Sequence, residues 1–251
     1  MKPLKFIQRH GFTLLETVIA IGVLAVLLTG FMVVFAPAAA GIRKSINVQE
    51  ADRLASTLEQ ELVTLRKGEE NTTDIVTGFD KAFKMIESAM KKTNPEVIFI
   101  YQYRGNLKAK PRDDGTYEPY KNASSGTAGI DYAVVSMARC RVKPGSGIDS
   151  SFEKDLEALQ GRVYAVKTKQ LVFSGGGLVA STKEVIEDPS PGEPLLTGTT
   201  ASGKYPEAVI AFSADFYSLP SSSYSYLKSG GAFNPSKLNT PVFTRNLAVR
   251  R

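Results

Sequence analysis

Few side chains in this sequence are placed to do chemistry. Glu16 is the only charged residue between Phe12 and Ala40. A carboxylate at the edge of an apolar helix is costly unless it is paired, so its presence invites a search for a cationic partner. The nearest cation on the same side is Arg9. The single histidine, His10, excludes multi-histidine metal sites and H-E-x-x-H chemistry, and the single Cys140 excludes an internal disulfide framework and any zinc site built on several cysteines. Further along, Arg104, Lys108, Lys110 and Arg112 interleave with Tyr101, Tyr103, Tyr117 and Tyr120. Cations alternating with aromatics can hold single-stranded nucleic acid by phosphate contact and stacking, although a solvated hairpin tip is the simpler reading. Asp113, Asp114 and Glu118 around Gly115 offer the oxygen ligands calcium takes. Their spacing does not match an EF-hand, and a plain Asp-Gly turn explains them more cheaply. Gly175-Gly176-Gly177 lacks the Gly-Lys-Ser/Thr ending of a phosphate loop and reads as turn material. Cys140 lies in an expected strand and reads as packing rather than as a reactive thiol.

The elements that would position these residues begin with a membrane-length helix. Thr17–Ala36 is free of charged side chains, and at ~1.5 Å per residue its twenty positions span a ~30 Å hydrocarbon core. Residues 1–11 carry Lys2, Lys5 and Arg9 and no acid. Cationic flanks of this kind stay in the cytoplasm. A secretory signal also has a basic start, and Ala38-Ala39-Ala40 offers it a cleavage site, so that reading stays open. Its apolar core, however, normally runs only ~7–15 residues.

The order Gly11-Phe12-Thr13-Leu14-Leu15-Glu16, between a basic leader and an apolar run, resembles the prepilin signature of type IV pilins and type II secretion pseudopilins. The resemblance covers about the first fifty to sixty positions. It implies that a prepilin peptidase cuts between Gly11 and Phe12, and that Phe12 is then N-methylated. It also implies that Glu16 meets the Phe12 amine of a neighbouring subunit, which would set axial register where apolar surface alone tolerates sliding. Many major pilins carry a proline where this chain has Val33; here the nearest is Pro37, so any kink would sit about one turn later. Many also close a C-terminal loop with a disulfide, which one cysteine cannot do. The implied organisation is a cleaved leader at 1–11, a transmembrane and assembly helix at 12–40, and a soluble head at 41–251. The implied partners are prepilin peptidase, other pilin or pseudopilin subunits and the inner membrane. The expected location is a single inner-membrane pass with the N-terminus cytoplasmic and the head periplasmic, followed by entry into a filament.

Cleavage would change the charge arithmetic. The full chain of 251 residues has 31 basic against 25 acidic residues, a net charge of +6. Loss of Lys2, Lys5 and Arg9 would leave 28 against 25, or +3, so a pI near 9.2 is poor support for a nucleic-acid partner, and none is expected. Loss of His10 would leave no histidine, excluding Ser-His-Asp and Cys-His catalysis within the subunit. No enzyme activity, cofactor or metal is expected.

After the apolar run, Ile42, Ile46, Leu54, Leu58, Leu62 and Leu65 recur at helical spacing among charged residues and end near Arg66-Lys67-Gly68. A continuous helix from Phe12 would be about 80 Å long, its second half packed on the head's own sheet. A second helix is expected at 73–92, with Ile75, Phe79, Phe83, Ile86 and Met90 on one face and Thr93-Asn94-Pro95 stopping it. Strand grammar follows at 96–103, 130–142, 162–173, 207–217 and 241–249, interrupted by a short helix at 151–159. Helices first and strands after argue an α+β fold with an antiparallel sheet, the shape the resemblance also implies. Long loops are expected at 104–129, 174–206 and 218–240. The functional expectation is a minor pilin or pseudopilin of a type IV pilus or type II secretion pseudopilus; the alternative is a filament-borne adhesin or DNA-uptake subunit using the 104–129 loop.

Overall fold

The computed structural model describes residues 13–67, 69, 75–92, 95–122, 124–140, 147–189 and 201–251. The chain divides into two compact units, residues 1–46 and 47–251. Helix α1 (Leu14–Val63) runs without interruption through Pro37. Its first half, within the first unit, exposes nearly every large apolar side chain from Leu14 to Phe35. It contains the one stretch among the described residues that is long and apolar enough to cross a membrane.

In the second unit, α1 from Asn47 onward is followed by α2 (Gly78–Met90) and then a sheet. The strands are β1 (Ile98–Asn106), β2 (Tyr132–Cys140), β3 (Leu159–Ser174), β4 (Gly177–Ala180), β5 (Val209–Ser218) and β6 (Phe243–Arg250). Helix α3 (Gly147–Glu157) precedes β3, and short helices α4 (Ala201–Lys204) and α5 (Tyr224–Leu227) flank β5. All pairings are antiparallel, in the order β2-β1-β3-β5-β6 with β4 added on β3. The expected α+β architecture, a long N-terminal helix with an antiparallel sheet, is what the chain adopts.

Both faces of the sheet are covered, which is why β1 is buried continuously from Ile98 to Tyr103 rather than at alternate positions. Ile98 and Ile100 of β1, with Tyr164 and Val166 of β3, meet Leu54, Leu58 and Leu62 of α1 and Phe83 and Ile86 of α2. Phe99, Tyr101 and Tyr103, with Val163 and Ala165, point the other way, onto Phe152 of α3, Leu227 and Phe233. Polar clamps fix α1 to this sheet. Glu50 accepts a hydrogen bond from the Tyr164 hydroxyl at 2.9 Å, Glu59 accepts one from the Ala248 amide at 2.9 Å, and Arg53 donates to Gln102 at 2.5 Å.

Several bounds shift by a few residues, the short helix from 151–159 to Gly147–Glu157 among them, and three differences have a clear local reason. Helix α1 ends at Val63, earlier than Arg66, because the Lys81 ammonium takes the Thr64 carbonyl at 2.7 Å and the Glu69 carboxylate at 2.7 Å; Gly68 lies outside the described residues. Helix α2 starts at Gly78 because Thr77 and Asp80 form a capping box, each side chain accepting the other's backbone amide. Thr73 and the proposed stop residues Thr93 and Asn94 lie outside the described residues, and Ile75 precedes the helix. The third is β4, absent from the sequence reading, which joins β3 through a two-residue turn with Gly175 at φ 60° and Gly176 at φ 87°. Both values favour glycine and suit the tight turns of two-residue hairpins. Ile42 and Ile46, read as part of the packing stripe, are exposed in the first unit. Packing on the sheet is carried by residues from Leu54 onward.

Candidate functional site: the helix start and the basic loop

Thr13 precedes the first turn of α1. Its hydroxyl and its amide both donate to Glu16 Oε2 at 3.0 Å, and the Glu16 amide donates back to the Thr13 hydroxyl at 3.3 Å. This reciprocal arrangement is a capping box, which satisfies amides at a helix start that otherwise lack partners. It holds the Glu16 carboxylate over the N-terminal end of the helix, where the aligned peptide dipoles favour negative charge. The other oxygen, Oε1, has no hydrogen bond among the described residues. Thr13 thus holds the exposed carboxylate in place through Oε2. Thr13 was not singled out in the sequence, although Thr13-Leu14-Leu15-Glu16 has the T-x-x-E spacing that signals it. Gly11, Phe12, His10, Arg9 and the remaining leader residues lie outside the described residues.

Residues 8–32 match the prokaryotic N-terminal methylation motif. The chain carries a prepilin-type methylation motif. The match supports membership of the type IV pilin and pseudopilin family, a family of structural subunits, and the helix and sheet just described suit a pilin-like fold. Neither the curated proteins nor the solved structures contain a match to this chain. Prepilin-type motifs imply processing by prepilin peptidase and assembly with other pilins, and the apolar α1 suits an inner-membrane anchor.

The basic loop of this prepilin-type chain is sewn to the protein. The Arg112 guanidinium, 8% exposed, donates to Asp155 of α3 at 2.8 Å and lies 3.5 Å from Glu118. Asp155 is fully buried and also accepts the Tyr101 hydroxyl at 2.8 Å, with Arg139 of β2 3.7 Å away. Burial raises the Asp155 carboxyl, and the Arg139 and Arg112 guanidinium groups pull it back. Burial, then the neighbouring Asp155 charge, pushes the Tyr101 phenol well above its ordinary range. Lys108 pairs with Asp131 at 2.6 Å, and Arg104 donates to the Tyr120 and Leu159 carbonyls at 3.5 and 3.4 Å. The Tyr117 carbonyl accepts the Tyr103 hydroxyl at 2.9 Å, and Tyr120 stacks on Tyr132 at 5.4 Å between centroids. Of the four cations singled out, Lys110 alone has no partner among the described residues. Arg104 and Arg112 therefore face partners within the fold, whereas Lys108 and Lys110 stay exposed.

Asp114 Oδ1 accepts both the amide and the hydroxyl of Thr116, at 2.9 and 2.6 Å, and Oδ2 lies 3.4 Å from Arg139. With Glu118 beside Arg112, the structure does not gather Asp113, Asp114 and Glu118 around one point; no cluster of three or more acidic, His or Cys residues able to hold a metal exists among the described residues. Cys140 is a free, half-buried thiol at the end of β2, and burial, then Glu96, pushes it up from its ordinary range.

Proposed function

We propose that this chain is a structural subunit, a minor pilin or pseudopilin, of a type IV pilus or type II secretion pseudopilus. Residues 1–11 are the cytoplasmic leader, 12–40 the transmembrane and assembly helix, and 41–251 the periplasmic head. Prepilin peptidase cuts between Gly11 and Phe12, and Phe12 is methylated, which keeps its charge. The observation that carries this reading is the coincidence of the methylation motif with a capped Glu16 that opens an exposed apolar helix.

The assembly mechanism follows from the carboxylate. Once the leader is removed, a new α-amine sits at the start of each helix. Glu16 Oε1 of one subunit meets the Phe12 amine of the next, and the two charges neutralise each other as the helices leave lipid and bundle. An unpaired carboxylate in an apolar bundle is costly, so only one axial register is well satisfied. Co-expression with a prepilin peptidase followed by intact-mass and N-terminal analysis tests the processing; the expected product starts at methyl-Phe12, and a start after Ala40 refutes the reading. Glu16→Ala is expected to leave processing intact and to remove the subunit from sheared filaments, read by immunoblot.

A further inference from the structure

Strand β4 pairs with β3 on one side and leaves its other side open. Its register with β3 runs without a break from Ser174–Gly177 to Leu171–Ala180, and the Ser181 amide continues it by donating to the Gln170 carbonyl at 2.8 Å. Hydrogen-bonded pairs alternate along an antiparallel ladder. With Gln170–Ser181 bonded, Val172–Val179 is bonded as well, and Leu171–Ala180 and Phe173–Leu178 are not. The N–H and C=O groups of Leu178 and Ala180 therefore point away from β3, and they have no partner among the described residues. The side chains around them are apolar and open to solvent: Phe173 is 69% exposed, Leu178 57% and Val179 47%.

An exposed strand edge usually carries a guard against pairing with another chain: a charge, a proline, a bulge or a covering element. Strand β6, at the end of the sheet, is guarded in this way. Glu59 of α1 takes its Ala248 amide, and Arg245, Asn246 and Arg250 line the strand. The β3–β4 hairpin has no such device. Between Lys169 and Lys183 there is neither a charged side chain nor a proline, and the register with β3 holds no bulge.

We propose that β4 is a docking edge for a second copy of this chain, whose own β4 adds antiparallel to it. A two-fold pair sets a strand against itself, so any charge on the edge would meet its like; this edge has none. The strand is also self-complementary in register. With Val179 opposite Val179 of the second copy, Leu178 of each copy faces Ala180 of the other, and their outward N–H and C=O groups satisfy one another. Each Phe173–Leu178 pair then continues into Ala180 and Leu171 of the other copy, one apolar row on one face of the joined hairpins. An edge of four residues buries far less than the roughly 1,200 Å² of a stable complex. The contact therefore forms where an apolar anchor holds copies in one bilayer and raises their effective concentration. In this it rests on the membrane-anchor part of the function proposed above, and not on cleavage at Gly11 or on Glu16.

The test uses the full chain reconstituted in phosphatidylcholine vesicles, with a Val179→Cys variant oxidised by copper phenanthroline and read by non-reducing electrophoresis. Val179 and its copy form a non-hydrogen-bonded pair, about 4.5 Å between Cα atoms and within disulfide reach. Val179→Cys is expected to dimerise at least tenfold faster than wild type, whose Cys140 sets the background, and than Glu153→Cys at an exposed position of α3. Peptide mapping should join position 179 in both copies. Adding Leu178→Lys to the Val179→Cys chain puts like charges on the edge and is expected to return the rate to background with an unchanged circular-dichroism spectrum. Equal rates for Val179→Cys and Glu153→Cys, or a rate indifferent to Leu178→Lys, overturn the proposal. In native membranes, a Val179→Cys product at a mass other than twice that of the chain assigns the edge to a different partner and overturns it as well. Vesicle flotation separates the two readings. A chain that does not float refutes the anchor and the contact that depends on it, whereas a chain that floats without cross-linking refutes the edge contact alone.

Discussion

Asp155 is the residue on which the second core turns. It is fully buried, between two guanidinium groups and a phenol that reach it from β1, β2 and the loop after β1. Replacing a buried ion pair by apolar side chains is often neutral, but deleting one member strands the others. Asp155→Ala would leave Arg112 and Arg139 buried without their counter-charge, and a loss of about 3–5 kcal/mol is expected. Chemical denaturation of the detergent-solubilised chain, followed by tyrosine fluorescence, measures it. An effect no larger than that of an exposed change such as Glu153→Ala would show that the network contributes little. Arg112 illustrates how far a residue's chemistry depends on context: in sequence it is one of four cations among tyrosines, and in the fold it is the cation least able to meet a ligand.

At the scale of elements, α2 is placed by its N-terminus. A Cβ built on Gly78 would lie 1.8 Å from the Val63 carbonyl oxygen, so only glycine lets this turn approach the end of α1. Gly78→Ala forces backbone to move in a packed interface, and a destabilisation of about 1–3 kcal/mol is expected in thermal unfolding. Asp80, in the same turn, gives a pH signature. Burial works to raise its carboxyl, but hydrogen bonds from Ser202, from the Thr77 hydroxyl and amide, and from the Val76 amide outweigh that and hold it below its ordinary value. A depressed folded value means the stabilisation is present above the ordinary carboxylate range, near pH 4, and is lost as pH falls through the folded value. Wild-type stability is expected to drop as pH falls below about 4, and Asp80→Asn, which cannot titrate, should lose less over that range. Matching slopes in urea titrations at each pH would contradict this role.

The whole molecule combines a helix with two different environments along its length. The first half of α1 presents apolar side chains outward, and the second half buries Leu54, Leu58 and Leu62 completely against the sheet. The two halves should therefore respond oppositely to substitution. Leu58→Ala opens a cavity in the first core and is expected to cost roughly 2–5 kcal/mol of head stability. Leu24→Ala lies in the exposed apolar run and should leave the thermal midpoint of the head unchanged. A similar loss in both variants would mean that the first half of α1 also supports the head.

By itself, the sequence determined the polymer-like beginning of the chain and the class of the fold. The order Gly11-Phe12 to Glu16, the charge-free run after it and the switch from helical to strand periodicity are local patterns, and local patterns are legible one residue after another. The five long strands were visible because β-branched and aromatic residues concentrate in them; β4 was not, because four residues after a glycine turn have too little pattern and exist only by pairing with Leu171–Ser174. What the tertiary structure alone decided was the use of charge. Sequence spacing placed Arg104, Lys108 and Arg112 beside tyrosines, but their partners Leu159, Asp131 and Asp155 stand 23 to 55 positions away. Coulomb interactions depend on distance in space, and folding sets that distance by packing the two faces of the sheet, which no linear pattern of charges records.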